Sequence, residues 1–213
     1  MEQDLLSPLT VGFGEASGNH HTTRIASSAN SPADQDLIDA VLVGDTARFD
    51  GLVSRYSDRI YHFILKNTRQ TAIAEELTQE TFVEAYRKLP AFKGEAKFSS
   101  WLFGIALNRV RNYINRSPDR HRCYLPVEVL RHGITADGNP VQCLERKQTL
   151  LALQQAIYTL PTELQEGLIL VVLEELSYEE AAQIMGIPIG TVKSRVHRAR
   201  DLLRESMKLN LDG

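Results

Sequence analysis

A chain of 213 residues has room for one domain or two small ones, each with a modest core. Its 43% hydrophobic and 24% charged residues suit an ordinary globular chain, and without an apolar run of about 18–20 residues no stable membrane insertion is expected. The N-terminus lacks the pattern of a secretory signal, and Cys123 and Cys143 are too few for a disulfide framework, so the expected location is cytoplasmic.

The formal net charge of −3 hides an uneven distribution. From Tyr86 to Arg122 nine Lys or Arg face only Glu95 and Asp119, and from Gly186 to Lys208 six face only Asp201 and Glu205. Phosphate neutralisation depends on local charge, so two basic stretches in an acidic chain suggest two DNA contacts, with solvated helix faces as the plainer alternative.

Residues 1–33 are rich in Ser, Gly, Asn and Thr without sustained periodicity and read as a disordered tail. From Asp34 the spacing predicts helices. Leu37, Ile38, Val41 and Leu42 form one face, and after a break at Gly44-Asp45 it continues through Phe49, Leu52, Val53, Tyr56, Ile60 and Phe63. A third helix is predicted from about Ala72 to Leu89, on Leu77, Thr81, Ala85 and Leu89 with Phe82 and Tyr86 beside them, and Pro90 follows its end. A fourth is predicted from about Ser99 to Asn115, with Leu102, Ala106, Val110 and Tyr113 inward. Residues 34–115 therefore form a first helical domain.

Residues 116–142 carry Pro118, Pro126, Gly133, Gly138 and Pro140 with weak periodicity and read as a flexible linker. Residues 143–213 form a second helical domain: a helix from Gln148 to Thr159, one after Pro161 with Leu164, Leu168, Ile169 and Val172, and two shorter helices at the end. The fold class is all-α, two small helical domains joined by a linker.

The most informative stretch runs from Leu176 to Arg195. Ser177 and Glu180 are spaced as a capping box, Gly186 sits where the chain must turn, and Pro188 suits the first turn of the next helix. This is a helix-turn-helix. Its second helix buries Val192, Val196, Ala199, Leu202 and Leu203 and exposes Lys193, Ser194, His197, Arg198 and Arg200, donors able to reach phosphates and guanine edges in a major groove. No paired catalytic motif or nucleotide loop is present, so no catalytic residue and no cofactor is expected. His121, Cys123, His132 and Cys143, with His20 and His21, are too irregularly spaced for a compact ligand pair, and no metal is expected.

The run from Gly190 to Arg200 resembles the recognition helix of the extracytoplasmic-function (ECF) class of bacterial RNA polymerase sigma factors. Ala74-Glu75-Glu76-Leu77-Thr78-Gln79-Glu80-Thr81-Phe82 resembles their second conserved region, and the stretch from Phe92 to Asn108 resembles their melting and minus-ten segment. Together these resemblances span roughly residues 35–207.

The resemblance implies a promoter-recognition subunit in which Glu76, Gln79, Glu80 and Tyr86 dock on core RNA polymerase. It implies a minus-ten set of Phe92, Lys93, Lys97, Asn108 and Arg109, with Phe92 and Asn108 in a pocket for a flipped base and Lys93 and Lys97 near the strand backbone. An aromatic face, an amide and cations are the groups such a pocket needs. Phe98 and Trp101 could face either the core or DNA. Lys193, Ser194, His197 and Arg198 are implied to read the minus-thirty-five element, with Thr191 and Arg195 on phosphates. Promoter DNA and an anti-sigma factor that clamps both domains are the further partners implied. The competing reading, a stand-alone helix-turn-helix regulator, needs a sensory or dimerisation domain, and the upstream half has neither alternating strands nor a phosphoacceptor arrangement.

Overall fold

The computed structural model describes residues 30–116 and 140–211. The expected tail up to residue 29, the linker over 117–139, and His20, His21, His121, Cys123 and His132 lie outside the described residues. Among the described residues there are eight α-helices and no strand, as the all-α reading expects.

The first unit starts earlier than the tail boundary at residue 33. Helix α1 spans Pro32–Leu42 because Ser31 accepts a hydrogen bond from the Asp34 amide and Pro32 has the fixed φ of a first helical turn. Gly44, at φ +107°, turns the chain through a conformation that other residues rarely adopt. Helix α2 spans Phe49–Thr68 and α3 spans Thr71–Lys88, with a short 3₁₀ turn over Leu89–Ala91. Helix α4, Phe98–Arg116, opens with the Asn30 side chain capping the Phe98 amide, so the segment before α1 also fixes the start of α4.

The predicted inward faces hold for the most part. Ile38, Val41, Leu52, Ile60, Phe63, Leu77, Ala85, Leu89, Leu102, Ala106 and Val110 are buried, while Leu42 is left 47% exposed at the last residue of α1. Phe63 and Phe103 meet edge to face at 5.0 Å in the middle of this core. One buried carboxylate goes with it: Asp34 accepts from Tyr56 Oη at 2.6 Å and from the Arg55 guanidinium, which ties α1 to α2. Burial, reinforced by that carboxylate, pushes the Tyr56 hydroxyl pKa far up.

In the second unit, α5 spans Pro140–Thr159 and so begins before the linker boundary at residue 142. Helix α6, Thr162–Leu168, runs into a π-helical turn over Ile169–Leu173, followed by α7, Tyr178–Met185, and α8, Ile189–Leu211. The last helix, 23 residues, is the longest among the described residues, where a short one is predicted. Its inner residues Ala199 and Leu203 close a small core with Ala156, Ile157, Leu160, Leu164 and Leu168. The rest of the apolar surface of this unit, including Leu170, Ala181, Ile184, Met185, Val192 and Val196, belongs to the same continuous core as α1–α4. The two units are therefore packed on each other, α7 lying against α4.

Candidate nucleic-acid interface

The helix-turn-helix forms by the local rules its sequence suggests. Ser177 Oγ accepts from the Glu180 amide at 3.1 Å and Glu180 Oε2 accepts from the Ser177 amide at 2.9 Å, the reciprocal pair of a capping box. Gly186 stands at φ +69° as the left-handed cap of α7, and the Pro188 carbonyl accepts from Thr191 and Val192. Pro188 thus precedes the first helical residue, Ile189, instead of occupying the first turn.

On α8, Val192, Val196 and Ala199 are buried, which turns Lys193, Ser194, His197 and Arg198 to the outside, with Thr191 and Arg195 half-buried at the rim. The Lys193 ammonium sits 5.7 Å from the Tyr178 ring centroid, Ser194 Oγ donates to the Thr191 carbonyl, and His197 Nδ1 lies 2.8 Å from Asp201 one turn on. Two expected positions differ. Leu202 is 38% exposed, since Leu203 takes the inner position, and Arg200 is half-buried with its Nε out of hydrogen-bond contact, so it does not extend the donor row.

The minus-ten residues divide. Phe92 packs at 5.0 Å on Trp101 and at 5.9 Å on Phe98, and Phe98 is fully buried, so that aromatic belongs to the core. Trp101, half-buried, joins the exposed Asn108 along a cavity of about 330 Å³ that Lys88, Ser100 and, from α7, Gln183 and Ile184 also line. Phe92 backs the Trp101 ring from outside the cavity wall. Lys93 is exposed, whereas Lys97 pairs with Glu180 at 2.9 Å. Arg109 is brought to α3 instead of the cavity, its Nη1 at 2.8 Å from Glu80 and its Nε at 2.6 Å from Glu84.

Of the residues implied in polymerase docking, Glu76, Gln79 and Tyr86 lie exposed on one side of α3, and Glu80 is turned toward Arg109. Val83, 49% exposed, fills the gap in that row. Helical spacing carries the signal that sequence reading passed over, because Val83 is four residues after Gln79 and three before Tyr86. Gln183 and Ile184 of the cavity wall have no such signal.

A capped helix-turn-helix with an exposed donor row, joined to a second helical unit with an aromatic-amide cavity, defines a sequence-reading DNA-binding protein. The sigma-70 region 2 family model matches residues 52–118 and the sigma-70 region 4 model residues 150–203. The RNA polymerase sigma-H factor of Pseudomonas aeruginosa is 33% identical over 181 residues, covering 82% of this chain and 94% of the relative. The ECF RNA polymerase sigma-E factor of Haemophilus influenzae is 32% identical over 186 residues, 84% and 98% of the two chains. Among solved structures, the sigma factor RpoE in complex with the anti-sigma factor NepR from Bartonella quintana matches with a TM-score of 0.56 at 28% identity, covering 75% of this chain and 96% of that one. CnrH in complex with the cytosolic domain of CnrY matches with a TM-score of 0.61 at 23% identity over 85% and 99%, a likeness of fold.

The chain belongs to the ECF class of bacterial RNA polymerase sigma factors. Its function is promoter recognition, and the stand-alone regulator finds no support. Sigma factors are transcription initiation factors and not enzymes. Among the described residues no helix is long and apolar enough to cross a membrane.

Proposed function

We propose that the chain divides promoter recognition between its two units, residues 34–115 and 143–213, with 116–142 as the tether. On core RNA polymerase, Lys193, Ser194, His197 and Arg198 read the minus-thirty-five element in the major groove, and Thr191 and Arg195 hold its phosphates. The cavity at Trp101 and Asn108 takes a base flipped from the minus-ten element, with Lys93 and Lys97 on the backbone side, and trapping that base favours strand opening. Glu76, Gln79 and Tyr86, together with Val83 and with Glu80 at the edge, dock on the polymerase. A cytoplasmic location and an anti-sigma partner complete the reading; the Bartonella relative is seen with such a partner.

The observation that carries this reading is the donor row on α8, held outward by buried Val192, Val196 and Ala199 behind a complete capping box. The test is reconstitution: purified chain added to core polymerase should co-elute with it and direct run-off transcripts from specific genomic promoters. Absence of core binding would overturn it.

A further inference from the structure

Helix α4 begins on a sequence without a cap of its own. Its first turn, Phe98-Ser99-Ser100-Trp101, contains no strong helix former, and Lys97, the residue before it, has no side-chain oxygen to accept from the first amides. The acceptor comes from a residue 68 positions earlier: Asn30 Oδ1 accepts from the Phe98 amide, while the Trp101 amide donates to the Lys97 carbonyl at 3.0 Å. Only one orientation of the Asn30 amide satisfies its neighbours. The Asp39 carboxylate accepts from the Gln35 amide nitrogen at 2.8 Å, so the Gln35 oxygen faces the Asn30 nitrogen at 3.0 Å and the Asn30 oxygen is turned to Phe98. A chain of hydrogen bonds with one polarity thus runs from α1 to the start of α4.

The turn held in this way carries one wall of the cavity. Phe98 is fully buried, with the Tyr56 ring at 5.6 Å on one side and Phe92 and Trp101 at 5.9 and 5.6 Å around it. Tyr56 is itself tied to α1 through Asp34. Trp101, three residues after Phe98, packs on Phe92 and lines the cavity together with Asn108. The rings set the sides of the turn, and the Asn30 cap sets its backbone. A first turn left without an acceptor frays, and here the residue carried by that turn is the aromatic wall.

We propose that Asn30 is a positioning residue for promoter opening: its cap holds the first turn of α4, and through it the Trp101 ring on which the flipped base stacks. The role rests on the cavity reading above. Asn30 is not among the residues that line the cavity, and it acts through the backbone of Phe98. A base leaving the duplex gains its full stacking energy only from a ring already in place, because ordering a loose turn on arrival subtracts from the gain. The polymerase-docking row lies on α3, so core binding does not depend on this cap.

Trp101 is the only tryptophan of the chain, so its emission in the free full-length protein reports on the wall directly. Asn30→Ala should shift that emission to longer wavelength and increase its quenching by acrylamide. In reconstituted holoenzyme the same variant should bind core as wild type does and lower the permanganate reactivity of unpaired minus-ten thymines several-fold, on a promoter identified by run-off transcription. Asn30→Asp, which keeps an oxygen for the Phe98 amide, should hold both readouts at the wild-type level. Tyr56→Phe, which loosens α1 from α2 but leaves the ring on Phe98, should not move the Trp101 emission. Emission unmoved by Asn30→Ala, a loss that Asn30→Asp shares, or an equal shift in Tyr56→Phe would overturn the proposal. Asn108→Ala separates these results from failure of the cavity reading. If it lowers opening while Asn30→Ala does not, the positioning role alone falls; if it leaves opening unmoved, the cavity reading falls and takes the role with it.

Discussion

The two basic surfaces of this protein are made by opposite means. On α8 a single helix does the work: three buried residues on one side hold four donors on the other, and of these four His197 pairs with a neighbour, Asp201, on its own helix. Around α4 the cations are drawn to carboxylates from other elements, Lys97 to Glu180, Arg109 to Glu80 and Glu84, and Arg111 to Glu166. A basic run in a sequence thus becomes a DNA-facing surface only where no carboxylate of the same chain reaches it first. The donor row of α8 is open to solvent as folded, whereas Lys97, Arg109 and Arg111 are paired within the chain.

The largest expected effect tests whether the two regions are mechanically one. Phe103 is fully buried in α4, edge-on to Phe63, with the Arg59 guanidinium 5.0 Å from its ring centroid. Phe103→Ala should cost about 3–5 kcal/mol. Because the core continues into α7, hydrogen-exchange protection in α7 should fall together with that in α2. Protection in α7 that survives unchanged would break the picture of a shared core.

On the open surface, Arg198→Ala should reduce discrimination among minus-thirty-five sequences by about 1–3 kcal/mol, measured as holoenzyme affinity for a promoter and its variants. Arg195→Ala should instead weaken all sequences alike and lower the salt slope by about one. An equal loss on every sequence for Arg198→Ala would make it a phosphate contact and narrow the reading row to Lys193, Ser194 and His197.

Smaller still is the loss of the cap. Ser177→Ala removes the oxygen that accepts from the Glu180 amide and should lower stability by about 1 kcal/mol in thermal unfolding. A much larger loss would mean that Glu180, freed from the capping box, also releases Lys97, and that the open and covered surfaces are coupled through this one residue.

The smallest effect lies at the junction of α3 and α4. A hydrogen bond from Lys88, aided by Arg109, holds the Glu84 carboxyl below the ordinary value for a glutamate. A carboxylate with a lower pKa folded than unfolded adds stability that is fully present above the unfolded value and is lost as pH falls through the folded one. The α3–α4 junction should therefore weaken below about pH 4.3, where unfolded glutamate begins to hold its proton. Glu84→Gln should lower stability slightly at pH near 7, converge with wild type at low pH and so flatten the acid limb of the stability curve; a limb as steep as that of wild type would assign the acid loss to other carboxylates.

What the chain determines by itself is whatever is settled within one or two helical turns. The capping box at Ser177 and Glu180, the turn at Gly186, the inner row of α3 and the donor row of α8 follow from spacing alone, because the groups involved are neighbours on one element. The all-α class and the family motifs are legible for the same reason. Where a residue faces a partner distant in sequence, spacing is silent. Arg111 and Glu166 are 55 residues apart, and Lys66 and Glu174 are 108 apart. Periodicity tells which side of a helix is buried and nothing of what it is buried against, so the pairing of Arg109 with α3, the turning of Glu80 away from the docking row and the place of Gln183 and Ile184 in the wall of the cavity beside Asn108 were decided only when the helices packed.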